Sequence, residues 1–77
     1  MEYDKDKVDE AVLALLYLNF WEDRYVTRAW KGFDWGAMDR LYEKGYIGDP
    51  KSKAKSVVVT EEGKAAAEAL FRKYFAT

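Results

Sequence analysis

The chain has 77 residues, enough for a single domain with a limited core, since independent domains usually hold roughly 50 to 200 residues. It compensates for small size with three Trp, six Tyr and four Phe, each of which buries a large area. With no Cys and no His, the sequence excludes disulfides, thiolate nucleophiles, zinc sites of the Cys/His kind and imidazole general bases.

The net charge is −1, which argues against a strong general polyanion binder, but the distribution is uneven. Residues 1–23 hold two lysines against seven acids, whereas residues 24–60 hold eight basic residues against four acids. The middle of the chain is therefore locally basic. No apolar run approaches the roughly 18 residues that span a bilayer, and no basic, apolar and small-residue succession marks a signal peptide. The expectation is a soluble cytoplasmic protein with no membrane partner.

In chain order, Asp4 or Asp6 is placed to cap a first helix, and Asp9 and Glu10 suit the positive end of its dipole. Val8, Val12, Leu15, Leu16 and Asn19 recur at helical spacing, and Leu13, Leu18, Phe20 and Trp21 widen the stripe. So broad an apolar surface predicts a central helix packed on more than one side. Tyr25-Val-Thr27 and Ala29-Trp30 then favour extended structure, with Val26–Trp30 as a short strand. Only about a dozen residues remain before the next helix signal, which leaves room for a strand or a second helix but not both.

Asp34 is positioned to cap a helix from Trp35 to Lys44, and Gly45 to end it. Trp35, Met38, Leu41 and Tyr42 form its expected apolar face; Gly36, Asp39, Arg40, Glu43 and Lys44 form its wet face. Tyr46-Ile47 is short and β-prone, Gly48-Asp49-Pro50 is a turn, and Ser56–Val59 is a returning strand. Thr60 caps a last helix in which Glu61 and Glu62 again match the dipole. Ala66, Ala67, Leu70, Phe71, Tyr74 and Phe75 give that helix an apolar face.

The residues that could bind something are mostly basic. Lys51, Lys53 and Lys55 alternate with no acid among them. On an extended arm, that spacing aims all three at one side, where they can contact phosphates without reading bases. Arg40 and Lys44 on the preceding helix could enter or border a groove, and Arg28 and Lys31 could add backbone contacts. Against this, Asp39 and Glu43 share the helix, which lacks Asn and Gln for base edges. Trp30-Lys-Gly-Phe-Asp-Trp35 is either a stacking platform or a set of rings anchoring an irregular connection to the core. The paired carboxylates sit at helix starts, where capping explains them. No phosphate loop or enclosed cleft supports catalysis, so an enzyme, a cofactor, a metal and a small-molecule ligand are not expected.

Leu41-x-x-x-Gly45-Tyr46-Ile47, a basic turn, then Val57-Val-Val-Thr60-x-x-Gly63 resembles the recognition helix, wing and following helix of bacterial winged-helix repressors such as the multiple-antibiotic-resistance and phenolic-acid regulators. The likeness covers about residues 34–65. The whole chain also resembles a family of small bacterial proteins known only as a domain of unknown function. It does so through its acidic Asp-Lys-Val-Asp-Glu-Ala helix, Arg28-Ala-Trp-Lys-Gly-Phe-Asp-Trp35, the 41–50 stretch, Lys53-Ala-Lys-Ser-Val57 and Thr60-Glu-Glu-Gly63.

That resemblance implies a winged-helix-like fold and no particular activity. The expectation is a single α+β, mostly helical domain over residues 1–77. It would hold three main helices, a small β-hairpin wing with strands near 46–47 and 56–59, and a reduced second helix. Its expected role is a transcription-associated protein that contacts double-stranded DNA through the wing. The alternative is a non-catalytic interaction module, for instance a homodimer through the terminal helices, that keeps the fold without binding DNA.

Overall fold

The computed structural model describes residues 1–77 and forms three helices and a three-stranded antiparallel sheet. The order is α1 (Lys5–Leu16), β1 (Trp21–Asp23), β2 (Val26–Trp30), α2 (Trp35–Glu43), β3 (Ser56–Val59) and α3 (Glu61–Phe75). This is a small α+β domain, about half helical. No helix is long and apolar enough to cross a membrane.

Asp4 caps α1 by accepting the Lys7 N–H at 3.1 Å. The helix is shorter than its apolar run. It ends at Leu16, continues as a 3-10 turn over Tyr17–Asn19, and gives way to extended backbone at Phe20. Trp21 therefore begins a strand instead of widening the helical stripe, and Leu15 and Leu18 stay exposed. β-Prone aromatic and branched side chains on both sides of a tight turn outweigh the helical pattern here.

The cramped segment before Asp34 resolves into a hairpin. Trp21 faces Arg28, Glu22 faces Thr27 and Asp23 faces Val26, joined by Arg24 and Tyr25 alone. Arg24 takes a φ of 56°, the left-handed value that such two-residue connections require. The expected strand at Val26–Trp30 is present. Its partner β1 stands where a second helix was looked for.

Asp34 caps α2 through the Ala37 N–H at 3.0 Å, and Gly45 follows the helix with a φ of 80°. Only Ala37, Met38 and Leu41 are buried on this helix. Trp35 and Tyr42, read from the sequence as part of the apolar face, are exposed by 67% and 46%. The helix is covered on one narrow side, so residues at the edges of the stripe stay in water.

The expected strand at 46–47 is reduced to a single bridge between Ile47 and Val59. The flanking bonds run from Gly48 N–H to Val58 O at 2.8 Å and from Thr60 N–H to Tyr46 O at 3.0 Å. Residues 51–55 form turns and bends, not an extended arm, so the alternation argument that put Lys51, Lys53 and Lys55 on one side does not hold.

Thr60 closes this junction. Its hydroxyl donates to the carbonyls of Gly45 at 2.7 Å and Tyr46 at 3.1 Å, and accepts the Gly63 N–H at 2.9 Å. Gly63 permits the approach: a Cβ there would lie 2.0 Å from the Tyr46 carbonyl oxygen. The first turn of α3 is thereby held against the chain leaving α2.

Leu13 and Leu16 of α1, Met38 and Leu41 of α2, Ile47, Val57 and Val59 from the sheet side, and Ala67 of α3 make one core. Truncating a buried Leu of this kind to Ala costs about 2–5 kcal/mol. Helices lie on one side of the sheet only. Thr27 and Ala29 point inward from β2, while Val26 and Trp30 on the opposite face are exposed. The result is a slab of 38 × 31 × 18 Å.

Candidate functional site

The seven basic residues proposed from the sequence fall into two groups with different surroundings. Arg40 and Lys44 lie on the side of α2 that packs on α1. Arg40 Nε donates to both carboxylate oxygens of Asp9 at 2.9 and 2.8 Å. Lys44 Nζ reaches Asp9 at 3.1 Å and Asp6 at 3.4 Å. The expected wet face of α2 is thus partly an internal one. Its cations compensate a carboxylate that is 1% exposed.

Burial alone would raise the Asp9 pKa, but the hydrogen bonds from Arg40 and Lys44 outweigh it and hold the carboxyl below its ordinary value. The bond to Asp9 likewise raises Arg40. Lys44 is raised as well: partial burial opposes its charge, and the bonds to Asp9 and Asp6 prevail. Arg40 Nη2 is buried with no acceptor, so the spare edge of the guanidinium is not presented to a ligand either.

The sequence alone gives Asp9 only a dipole role. Its position was informative all the same: Asp9, Val12, Leu13 and Leu16 are spaced at i, i+3, i+4 and i+7. A carboxylate inside an apolar stripe is buried by its neighbours and needs a partner from elsewhere.

Arg28 and Lys31 are also engaged. Arg28 spans to β3, donating to the Ser56 hydroxyl at 2.7 Å and the Ser56 carbonyl at 3.1 Å. Lys31 Nζ donates to the carbonyls of Pro50, at 2.7 Å, and Ser52, which pins the loop that carries the lysines. Lys51, Lys53 and Lys55 alone are exposed with no side-chain partner. The structure therefore ties Arg28 to β3 and Lys31 to the loop over residues 50–52, sets Arg40 and Lys44 apart on Asp9, and leaves three cations free.

The aromatic residues reverse their expected roles. Trp30 is 54% exposed, and Trp35 is more exposed still, so these rings do not anchor the connection to the core; Phe33 does that as a half-buried neighbour of the core. Trp30 stacks at 4.7 Å on Trp21 across the uncovered sheet face. On α2, Trp35 and Tyr42 lie seven residues apart, two helical turns, and give that helix an aromatic outer side. On the other side of the slab, Leu15, Leu18, Tyr74 and Phe75 are exposed by 39% to 66%. Tyr74 donates to Glu10 at 2.6 Å, a bond that raises the phenol's pKa and ties the end of α3 to α1.

A shallow groove of about 580 Å³ separates α1, α2 and α3, floored by Leu13, Leu41 and Leu70 and rimmed by Asp6, Glu10 and Lys44. No cluster of three or more carboxylates is close enough to hold a metal ion.

Comparison with known proteins places the chain in a family without placing an activity on it. No solved structure matches it. An uncharacterized protein of Sinorhizobium fredii, y4hR, is 55% identical over 75 residues, covering 97% of each chain. A family model described as a domain of unknown function, DUF6429, matches residues 4–77. The chain belongs to the DUF6429 family.

Proposed function

We propose that this domain is a non-catalytic protein-interaction module, built on a reduced winged-helix frame that does not read bases through α2. The frame is supported by the sheet order: β2 lies beside β3, and β3 bridges to Ile47 across a loop in the place of a wing. The observation that carries the reading is the exchange of roles on α2. Its cations Arg40 and Lys44 bind the buried Asp9, while Trp35 and Tyr42 face water. Base readout needs free Arg, Lys, Asn or Gln side chains on the inserted helix. Protein interfaces instead favour exposed Trp, Tyr and Phe, whose rings bury much area at low entropy cost.

A second reading, contact with a phosphate backbone through the wing loop, is favoured by the three unpartnered lysines. Titration with random duplex at two salt concentrations separates the two. The interaction module predicts no saturable binding below roughly 100 μM duplex at physiological salt, the weak limit of non-specific binders. Micromolar affinity that falls steeply with salt and disappears in the Lys51→Ala/Lys53→Ala/Lys55→Ala variant overturns it in favour of the wing.

A further inference from the structure

We infer that the uncovered face of the sheet is a binding site for single-stranded RNA, with an unpaired base stacked on Trp30 and the neighbouring phosphates held by Arg28 and the lysines of the 51–55 loop. The site is built on β2 and its neighbours, not on α2, and goes beyond the interaction-module reading.

The ladder gathers the groups that such a ligand needs. Trp21 stands directly opposite Arg28, and alternation along β2 puts Arg28 and Trp30 on the same face. The Trp21 and Trp30 rings meet at 4.7 Å, so Trp30 is braced on one side while 54% of it stays exposed. A ring already held in place loses little further freedom when a base stacks on it. Arg28 is held as well: its Nε and Nη2 donate to Ser56, the cross-strand partner of Trp30. A guanidinium carries five N–H groups, so Arg28 keeps donors for a phosphate beside the ring.

Charge says what covers this face. Residues 21–31 and 48–58 together hold six basic residues against three acids. Two of those acids are engaged, Glu22 by Thr27 and Lys64 and Asp49 by the Lys51 backbone N–H. The third, Asp23, pairs with Val26 at the end of the ladder away from Trp30. At the Trp30 end, the Lys31 N–H bonds to the Lys55 carbonyl at 3.2 Å, one residue beyond Ser56. The loop of unpartnered lysines therefore leaves the sheet next to the exposed ring. An apolar partner surface has no use for this excess of cations, whereas a phosphate backbone does.

The stacking ring selects the kind of nucleic acid. An aromatic side chain stacks on a base whose face is free, and a duplex hides those faces between neighbouring pairs. RNA loops and ends expose them, and are read by stacking on aromatic rings and Arg planes. Lysine contacts alone give duplex only weak, unspecific affinity; the base on Trp30 is what a single strand adds.

The test is fluorescence anisotropy of a fluorescein-labelled oligouridine of about 12 nucleotides titrated with the full chain, beside an oligothymidine strand and an RNA duplex of the same length. Oligouridine is expected to bind saturably and about tenfold or more tightly than the duplex. Trp30→Leu keeps an apolar contact on Trp21 but has no π-face. It should abolish that preference while circular dichroism stays native, because Trp30 lies outside the core. Trp30→Tyr should restore most of the preference, and Trp35→Leu, which removes an exposed ring on α2, should leave it unchanged. Replacing Lys51, Lys53 and Lys55 with Ala should lower the slope of log affinity against log salt by about 0.7 for each lysine on a phosphate. A chain that binds no oligouridine, binds the duplex as tightly, or binds oligothymidine alone overturns the inference. So does oligouridine binding that Trp30→Leu leaves intact, that Trp35→Leu abolishes, or whose salt slope ignores the lysines. Failure on the single strand leaves the interaction-module reading standing, since that reading answers to random duplex.

Discussion

Two sets of basic residues in this domain differ in what faces them. Arg40 and Lys44 of α2 converge on a carboxylate that α1 has carried into the interior, whereas Lys51, Lys53 and Lys55 of the 51–55 loop are exposed without a side-chain partner. A charge count from the sequence treats them alike. The fold assigns the first pair to cohesion and leaves the second set available to solvent or a ligand. Local basicity between residues 24 and 60 is therefore a poor measure of binding surface, because four of its eight cations are bound internally.

The sharpest way to break this contrast is to remove one member of the buried set. Arg40→Leu leaves Asp9 with Lys44 alone. Stripping a partner from a buried carboxylate is strongly destabilising, so the thermal midpoint should fall by roughly 10 °C. The Asp9→Leu/Arg40→Leu double variant, which removes both charges, should recover much of that loss in the same melt. Additive effects of the two changes would contradict the coupling.

Acid should separate the two sets next. Asp9 titrates lower in the folded chain than in the unfolded one. Its contribution is therefore complete above the unfolded value, near 3.9, and is lost as pH falls through the folded value. Lys44 is raised, so its contribution is complete below the unfolded value, near 10.4, and is lost as pH rises through the folded one. Melts at falling pH should show the wild type losing stability below about pH 4 more steeply than the double variant. Equal slopes would remove Asp9 from the account.

Thr60→Ala tests the joint between α2 and α3. Loss of an N-cap costs about 1 kcal/mol, and the change also removes the hydroxyl's bond to the Gly45 carbonyl, while the Tyr46 carbonyl keeps the backbone N–H of position 60. Amide exchange should quicken at Gly63 while the α1–α2 contact stays protected. The smallest effect belongs to the loop over residues 51–55. Replacing Lys51, Lys53 and Lys55 together with Ala should change stability by no more than about 0.5 kcal/mol in denaturant titration. A larger loss would mean that the loop lysines serve the fold as the α2 cations do.

Much of the architecture was legible in local chemistry. Asp4, Asp34 and Thr60 each accept the predicted N-cap bond, and Gly45 adopts the left-handed conformation expected after α2. Those signals act over three or four residues and need no knowledge of the rest of the chain. β1 was missed because Phe20 and Trp21 extend the helical stripe, and a strand exists only once its partner is placed. The wing strand at 46–47 was overstated, because β-propensity cannot say how many residues find a ladder. At the candidate site, the lysines of the loop were identified and stand free. The fate of Arg40 and Lys44 was not legible, because their partner lies about thirty residues away. The clue was Asp9 itself, an acid set within the apolar spacing of α1.

The central claim is that the buried Asp9 engages the cations of α2 and takes them out of the binding surface. Carboxyl-carbon NMR, with the Asp9 resonance followed through an acid titration of the wild type, tests it most directly. The account predicts an Asp9 midpoint clearly below ~3.9, the usual aspartate value, and one that moves upward in Arg40→Leu. A midpoint at or above the ordinary value, unchanged by removal of Arg40, would contradict it and return Arg40 and Lys44 to the free surface.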